Sequence, residues 1–216
     1  MKDLFERIPE EKRNRIINSA INEFATFGYR NANTNTIARK AGISIGSLFQ
    51  YFDNKEDLFL TTVRHCSALM QESLESIMAD EEDILLKLEK LLRTILKHSR
   101  ENANMIRLYN EMATQSNSHI ICEAVNDLEA VTAKLYSRLI AQAQSANAIR
   151  PDCDPGMFAF LLDNLLMMLQ FSYSCDYYKA RFQLYGAENI LERDDFVIEQ
   201  TLRFIQTAFS PALPDT

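Results

Sequence analysis

Between Asn33 and Lys55 the sequence sets out side chains that can hydrogen-bond, touch and hold charge: Asn33, Thr34, Ser47, Gln50, Tyr51 and Lys55, with Ile45 and Gly46 among them. A glutamine offers a donor and an acceptor in one plane and pairs with an adenine edge, a serine bonds to a base or a phosphate, and isoleucine touches a thymine methyl. Tyrosine and lysine at a helix end donate to phosphate oxygens, as do Asn and Thr where a helix opens. A residue without a side chain at position 46 lets the backbone come close to a duplex. The chain shows no Gly-rich phosphate loop, no nucleophile beside a histidine and no carboxylate pair with a recognisable partner. This chemistry is that of reading double-stranded DNA, not of catalysis.

Such residues work only if short helices present them. In TIARKAGISIGSLFQYFDNKEDLF (residues 36–59) the glycine at 42 supplies a helix stop and Ser44 a start. Two short helices joined by a three-residue turn make a helix-turn-helix. Leu48 and Phe52, four apart, should face inward, leaving Ile45, Gly46, Ser47, Gln50 and Tyr51 on the outer side. A preceding helix from Glu10 to Phe27 buries Ile17, Ala20, Ile21, Phe24 and Ala25 and is closed by Gly28. Asn33 caps the next helix through Lys40, and Asp53 or Asn54 caps a long one carrying Leu58, Phe59, Val63, Cys66, Met70 and Leu74.

Apolar residues recur at three- and four-residue spacing through the rest, with five glycines and five prolines in 216 residues, so the chain is expected to be all-α. The acidic run at residues 80–83 opens one helix; others are expected over Ala103–Thr114, Ser118–Ala146, Pro155–Tyr173 and Asp194–Phe209. Asp154 before Pro155 is the clearest start. Between Ser174 and Arg193, Tyr177, Tyr178, Phe182 and Tyr185 suggest a short extra helix or an ordered loop. Two domains are expected, a DNA-binding one over residues 1–55 and a helical effector-binding and dimerisation one over 56–216. The net charge of -7 is unevenly shared: residues 1–55 carry nine Lys/Arg and six Asp/Glu, the remainder fourteen and twenty-four. A basic head on an acidic body suits phosphate at one end only. Cys66, Cys122, Cys153 and Cys175 and the histidines at 65, 98 and 119 are dispersed, so no metal site and no cofactor is expected. The charged N-terminus lacks the apolar core of a signal peptide, and no run reaches the roughly 18 apolar residues of a membrane span, which predicts a cytoplasmic protein without a membrane partner.

The stretch Phe24–Leu58, with F-x-x-x-G-Y, I-A-x-x-A-G-I-S-x-G-S-L-F-x-Y-F and N-K-E-D-L, resembles the DNA-binding domain of the TetR family of bacterial transcription regulators. The resemblance covers about the first quarter of the chain. It implies a homodimer with paired recognition helices on operator DNA and a C-terminal helical domain that binds a small ligand. The usual outcome is repression released by that ligand; a co-repressor or activator of the same fold is the alternative, and a protein-binding helical adaptor the rival class. It assigns DNA contact to Asn33, Thr34, Ser44, Ile45, Ser47, Gln50, Tyr51 and Lys55. Phe49 and Ala32 stand where relatives often have hydroxyl residues, and Ile45 where they often have a polar or basic one.

The helix Phe158–Tyr173 is hydrophobic nearly all round and needs burial on more than one side. With the last helix it is expected to form an intersubunit bundle, as in the family, through Leu161, Leu165, Leu169, Ile198, Leu202, Ile205 and Phe209. Asn164 and Gln170 within that run are read first as bonding across the dimer or to backbone. A ligand pocket would draw on Met70, Met105, Arg107, Tyr109, Met112, Asn164 and Met168, although the methionines are read first as core filling and Arg107 as a surface salt bridge; an apolar lining in an acidic body favours an apolar or cationic effector.

Overall fold

The computed structural model describes residues 3–79, 83–114, 129–186 and 189–210. Among these residues the regular structure is helical and no strand occurs. The helices are α1 (Asp3–Glu6), α2 (Glu10–Asn31), α3 (Thr34–Lys40), α4 (Ile45–Tyr51), α5 (Lys55–Ala79), α6 (Ile84–Glu101), α7 (Ala103–Ala113), α8 (Ala130–Ser145), α9 (Pro155–Ser174), α10 (Asp176–Gly186) and α11 (Asp194–Phe209). A short 3-10 turn, Ile190–Glu192, precedes α11. The chain divides into two compact units, Met1–Leu69 with Asn104–Leu128, and Met70–Ala103 with Glu129–Thr216.

In the first unit the 3.6-residue rhythm of α2 buries Ile16, Ile17, Ala20, Ile21 and Phe24, and α3 adds Ile37 and Ala38. Leu48 and Phe52, both 0% exposed, fix α4 from below. Each such apolar side chain is worth about 1.5–3 kcal/mol on burial, far more than the propensity of a seven-residue helix supplies. Three features lie outside the sequence expectation. Phe5 on α1 joins this core, its ring 4.8 Å from that of Phe52. Gly28 does break α2, at φ 72° and ψ 165°, but one more turn, Tyr29–Asn31, follows the break. Leu108 and Met112 of α7 are buried in the same core, far along the chain from the helices they support.

In the second unit α6 lays Ile84, Leu88, Leu91, Leu92, Ile95 and Leu96 against Tyr136, Leu139 and Ile140 of α8, Leu162 and Leu166 of α9, and Val197 and Ile205 of α11. Asp83 caps α6 by accepting from the N–H groups of Leu85 and Leu86 at 2.8 and 3.1 Å; residues 80–82 lie outside the described ones. So do residues 118–128 of the helix expected from Ser118, including His119 and Cys122, while α8 covers its later part. Asp154 caps α9 by accepting from Met157 N–H at 2.8 Å, with Pro155 in the first turn. The aromatic segment after Ser174 is a helix, α10, pinned by Tyr178 against Phe171 and Phe182 against Tyr173.

The expected dimer residues need correction here. Leu169, Ile198, Ile205 and Phe209 are 9, 3, 2 and 5% exposed, closed inside the core of their own unit, so they have no surface to offer a partner. Leu165 and Leu202 are half-buried against that core. Leu161 is free at 56%, beside Met157 at 55% and Phe160 at 59%. Phe196 and Phe204 stand out on α11. Two helices with apolar stripes on both sides gave sequence reasoning no means of telling the inner stripe from the outer. By length and composition α9 alone among the described helices could cross a membrane, but its inner stripe is a wall of this core.

Candidate nucleic-acid interface

The turn between α3 and α4 follows from two residues. Gly42 takes φ 71°, Ile43 N–H reaches back to Ala38 O at 3.0 Å and Gly42 N–H to Arg39 O at 3.1 Å, the paired bonds of a Schellman ending. Ser44 then opens α4, its Oγ accepting from Ser47 N–H at 3.0 Å and lying 2.9 Å from Ser47 Oγ. Above the buried Leu48, α4 turns outward Gly46 and Gln50, exposed, and Ile45 and Ser47, half-exposed. Phe49 is exposed too, at 39%. Ser44 is exposed but already engaged as the cap.

Asn33 caps α3 by accepting from Asn35 N–H at 2.9 Å. Its own N–H donates at 3.2 Å to Glu23, whose other oxygen accepts from Lys40 Nζ at 3.0 Å. Glu23 is 3% exposed, so a buried acid on α2 holds both ends of α3. Nothing in the spacing singled it out, because the buried face of α2 was read from its apolar residues alone, Ile21 and Phe24 beside it among them. Thr34, half-exposed, sits next to this cap.

Two expected phosphate donors are placed differently from the sequence reading. Tyr51 does not lie on the outer side: it is 6% exposed, its ring 5.9 Å from that of Phe5. Its hydroxyl accepts from Lys12 Nζ at 2.9 Å, which leaves its own proton to donate. At a seven-residue helix end one residue past a buried turn, packing decides which way a tyrosine points. Lys55 opens α5, where Asn54 is the cap, accepting from Asp57 N–H at 2.9 Å. The Lys55 ammonium donates to Arg30 O at 3.0 Å and rests 5.2 Å from the Tyr29 ring centre. Burial holds its pKa below the ordinary lysine value.

The seven expected ligand residues do not assemble into one described pocket. Met105 and Tyr109 pack on the first core, and Met112 is a core residue at 6% exposure. Arg107 donates to Asn104 Oδ1 at 3.3 Å. Met70 and Met168 are half-buried in the second unit, where Asn164 Nδ2 donates to Phe160 O at 2.7 Å. A cavity of about 300 Å3 in the first unit is lined by Phe27, Gly28, Arg30, Asn31, Glu111 and Thr114, none of the seven.

Residues 16–62 match the family described as bacterial regulatory proteins, tetR family. The chain is 23% identical over 167 residues to an HTH-type transcriptional regulator of Bacillus subtilis, YhgD, covering 76% of this chain and 84% of that one. It shares its fold with the fatty acid degradation regulator FadR of Bacillus halodurans, at TM-score 0.72 and 19% identity over 88% of this chain and 97% of that one. FadR of B. subtilis, solved with stearoyl-CoA, matches at TM-score 0.69 and 19% identity with the same coverage. The head, residues 16–62, thus matches the DNA-binding part of the tetR family of bacterial regulatory proteins, and the helical fold is shared with such regulators along most of the chain.

Proposed function

We propose that the protein is a transcription regulator in which α4 enters the major groove of operator DNA, working as a homodimer whose grip a small molecule releases. The observation that carries this is the outward face of α4, Ile45, Gly46, Ser47 and Gln50, stood on buried Leu48 and Phe52 and aimed by the Gly42 turn and Ser44 cap. Gln50 and Ile45 read bases; Asn33, Thr34, Ser44 and Lys55 hold phosphates and set register. The work is binding, not catalysis, and a protein acting on DNA belongs in the cytoplasm. The second copy docks on the exposed apolar stripe of α9 and α11, Phe160, Leu161 and Phe204.

The effector is a small apolar or cationic molecule taken up by the helical body, which carries fourteen Lys/Arg against twenty-four Asp/Glu. FadR of B. subtilis holds stearoyl-CoA; of that ligand, the apolar chain is the part this reading shares. Effector and DNA must weaken each other by the same factor. A gel shift with duplexes from DNA flanking the protein's own gene tests the assignment. It predicts a complex that survives excess random DNA; a complex that random DNA removes in proportion would count against a sequence-specific regulator.

A further inference from the structure

The extra turn of α2 beyond Gly28 is held from outside its own helix. Tyr29 N–H, the first donor after the break, donates at 2.8 Å to Glu111 Oε1 on α7, 82 positions along the chain. The same carboxylate occupies the space over Gly28, where an added Cβ would meet Oε1 at 3.1 Å. The turn so held carries the contacts that fix the start of α5. Arg30 O accepts from Lys55 Nζ at 3.0 Å, the Lys55 ammonium sits over the Tyr29 ring, and that ring lies 5.0 Å from the ring of Phe59. α7 has its own anchors in the same unit, through buried Leu108 and Met112 and through Asn104 Nδ2, which donates to Asn22 Oδ1 at 2.8 Å.

We propose that Glu111 is a positioning residue for DNA recognition: by accepting from Tyr29 N–H it fixes the last turn of α2 and, through Arg30 O and the Tyr29 ring, the lysine that follows the exit of α4. A backbone N–H left after a glycine break has no helical partner, and a carboxylate is the strongest acceptor available to it. The functional head therefore extends beyond the helix-turn-helix to a helix more than forty residues downstream of Lys55.

The test uses the full chain and a duplex that the wild-type protein selects from a random-sequence library, with affinity read by fluorescence anisotropy at several salt concentrations. Glu111→Ala should weaken binding about tenfold and lower the salt slope by up to about one, since Lys55 is no longer held in place for its phosphate contact. Glu111→Gln, whose amide oxygen still accepts, should stay near wild type, and the Tyr29 amide should remain protected from hydrogen exchange in it but not in the alanine variant. Simple repulsion between Glu111 and DNA gives the opposite sign, because both variants remove a negative charge and both would then bind more tightly. Wild-type affinity in Glu111→Ala overturns the proposal, and so does an equal loss in both variants. Should the alanine variant fail to fold, Glu111→Gln decides: lost affinity with the Tyr29 amide still protected would sink the idea. The proposal rests on the DNA-binding reading of the head. If the wild-type protein selects no duplex, that reading fails; if it does and Glu111→Ala binds equally well, only the role of Glu111 fails.

Discussion

Gln50 and Lys55 carry different kinds of contact and should fail in different ways. Gln50 is exposed on α4, so Gln50→Ala should cost on the order of 1–3 kcal/mol at one base pair per half-site and little on random DNA. Lys55→Ala should weaken every sequence alike and lower the salt slope by about one. Titration over a set of single-base operator variants at two salt concentrations separates them; base preferences left intact by Gln50→Ala would remove its reading role. In the body, burial and nearby Glu129 raise the Asp163 pKa from 3.8 to about 6, beside the buried Tyr136. The folded state thus favours the protonated acid. That contribution is full below pH 3.8 and is lost as pH rises through about 6. At about 1.4 kcal/mol per pKa unit, discounted for partial exposure, Asp163→Asn should stabilise the protein by ~1–2 kcal/mol at pH 7.5 and by much less at pH 4. Urea melts at the two pH values check it, and equal gains at both would contradict the shift.

At the scale of elements, the α3–α4 unit was legible because its signals are local. Gly42 at φ 71° with the two backbone bonds around it, and Ser44 and Asn33 with their capping bonds, each act through bonds that span no more than five residues. Gly42→Ala should therefore cost about 1–2 kcal/mol from backbone strain alone, as nothing lies within 4 Å of the added Cβ. Gly42→Asn should recover part of that, and denaturant melts that leave both variants at wild-type stability would refute the strain. What the sequence hid is long-range. Glu23 under α3, Glu111 at Tyr29 and Leu108 in the head's core are chosen by the fold. The burial of Tyr51 and the inward placement of Leu169, Ile198, Ile205 and Phe209 were settled by packing too, where periodicity allowed either side. The ligand residues lacked even a local signal, since methionines on buried stripes fill cores and pockets alike.

As a whole molecule the protein should act only in pairs. Leu161 is 56% exposed on α9 while the neighbouring Leu162 is buried, so Leu161→Glu should split the dimer with little damage to the fold, as seen by light scattering against the 24.9 kDa chain mass. A variant that stays dimeric would move the interface elsewhere. One head alone makes too few contacts for tight specific binding, whereas two heads joined by a dimer engage both half-sites at high effective concentration. The most direct measurement is selection by the full-length protein from a random duplex library, followed by sequencing of the bound DNA. The account predicts enrichment of an inverted repeat, its half-sites related by a two-fold axis and about one helical turn, roughly 34–36 Å, apart. Enrichment of a single unpaired site, or of no sequence above the starting library, would contradict it.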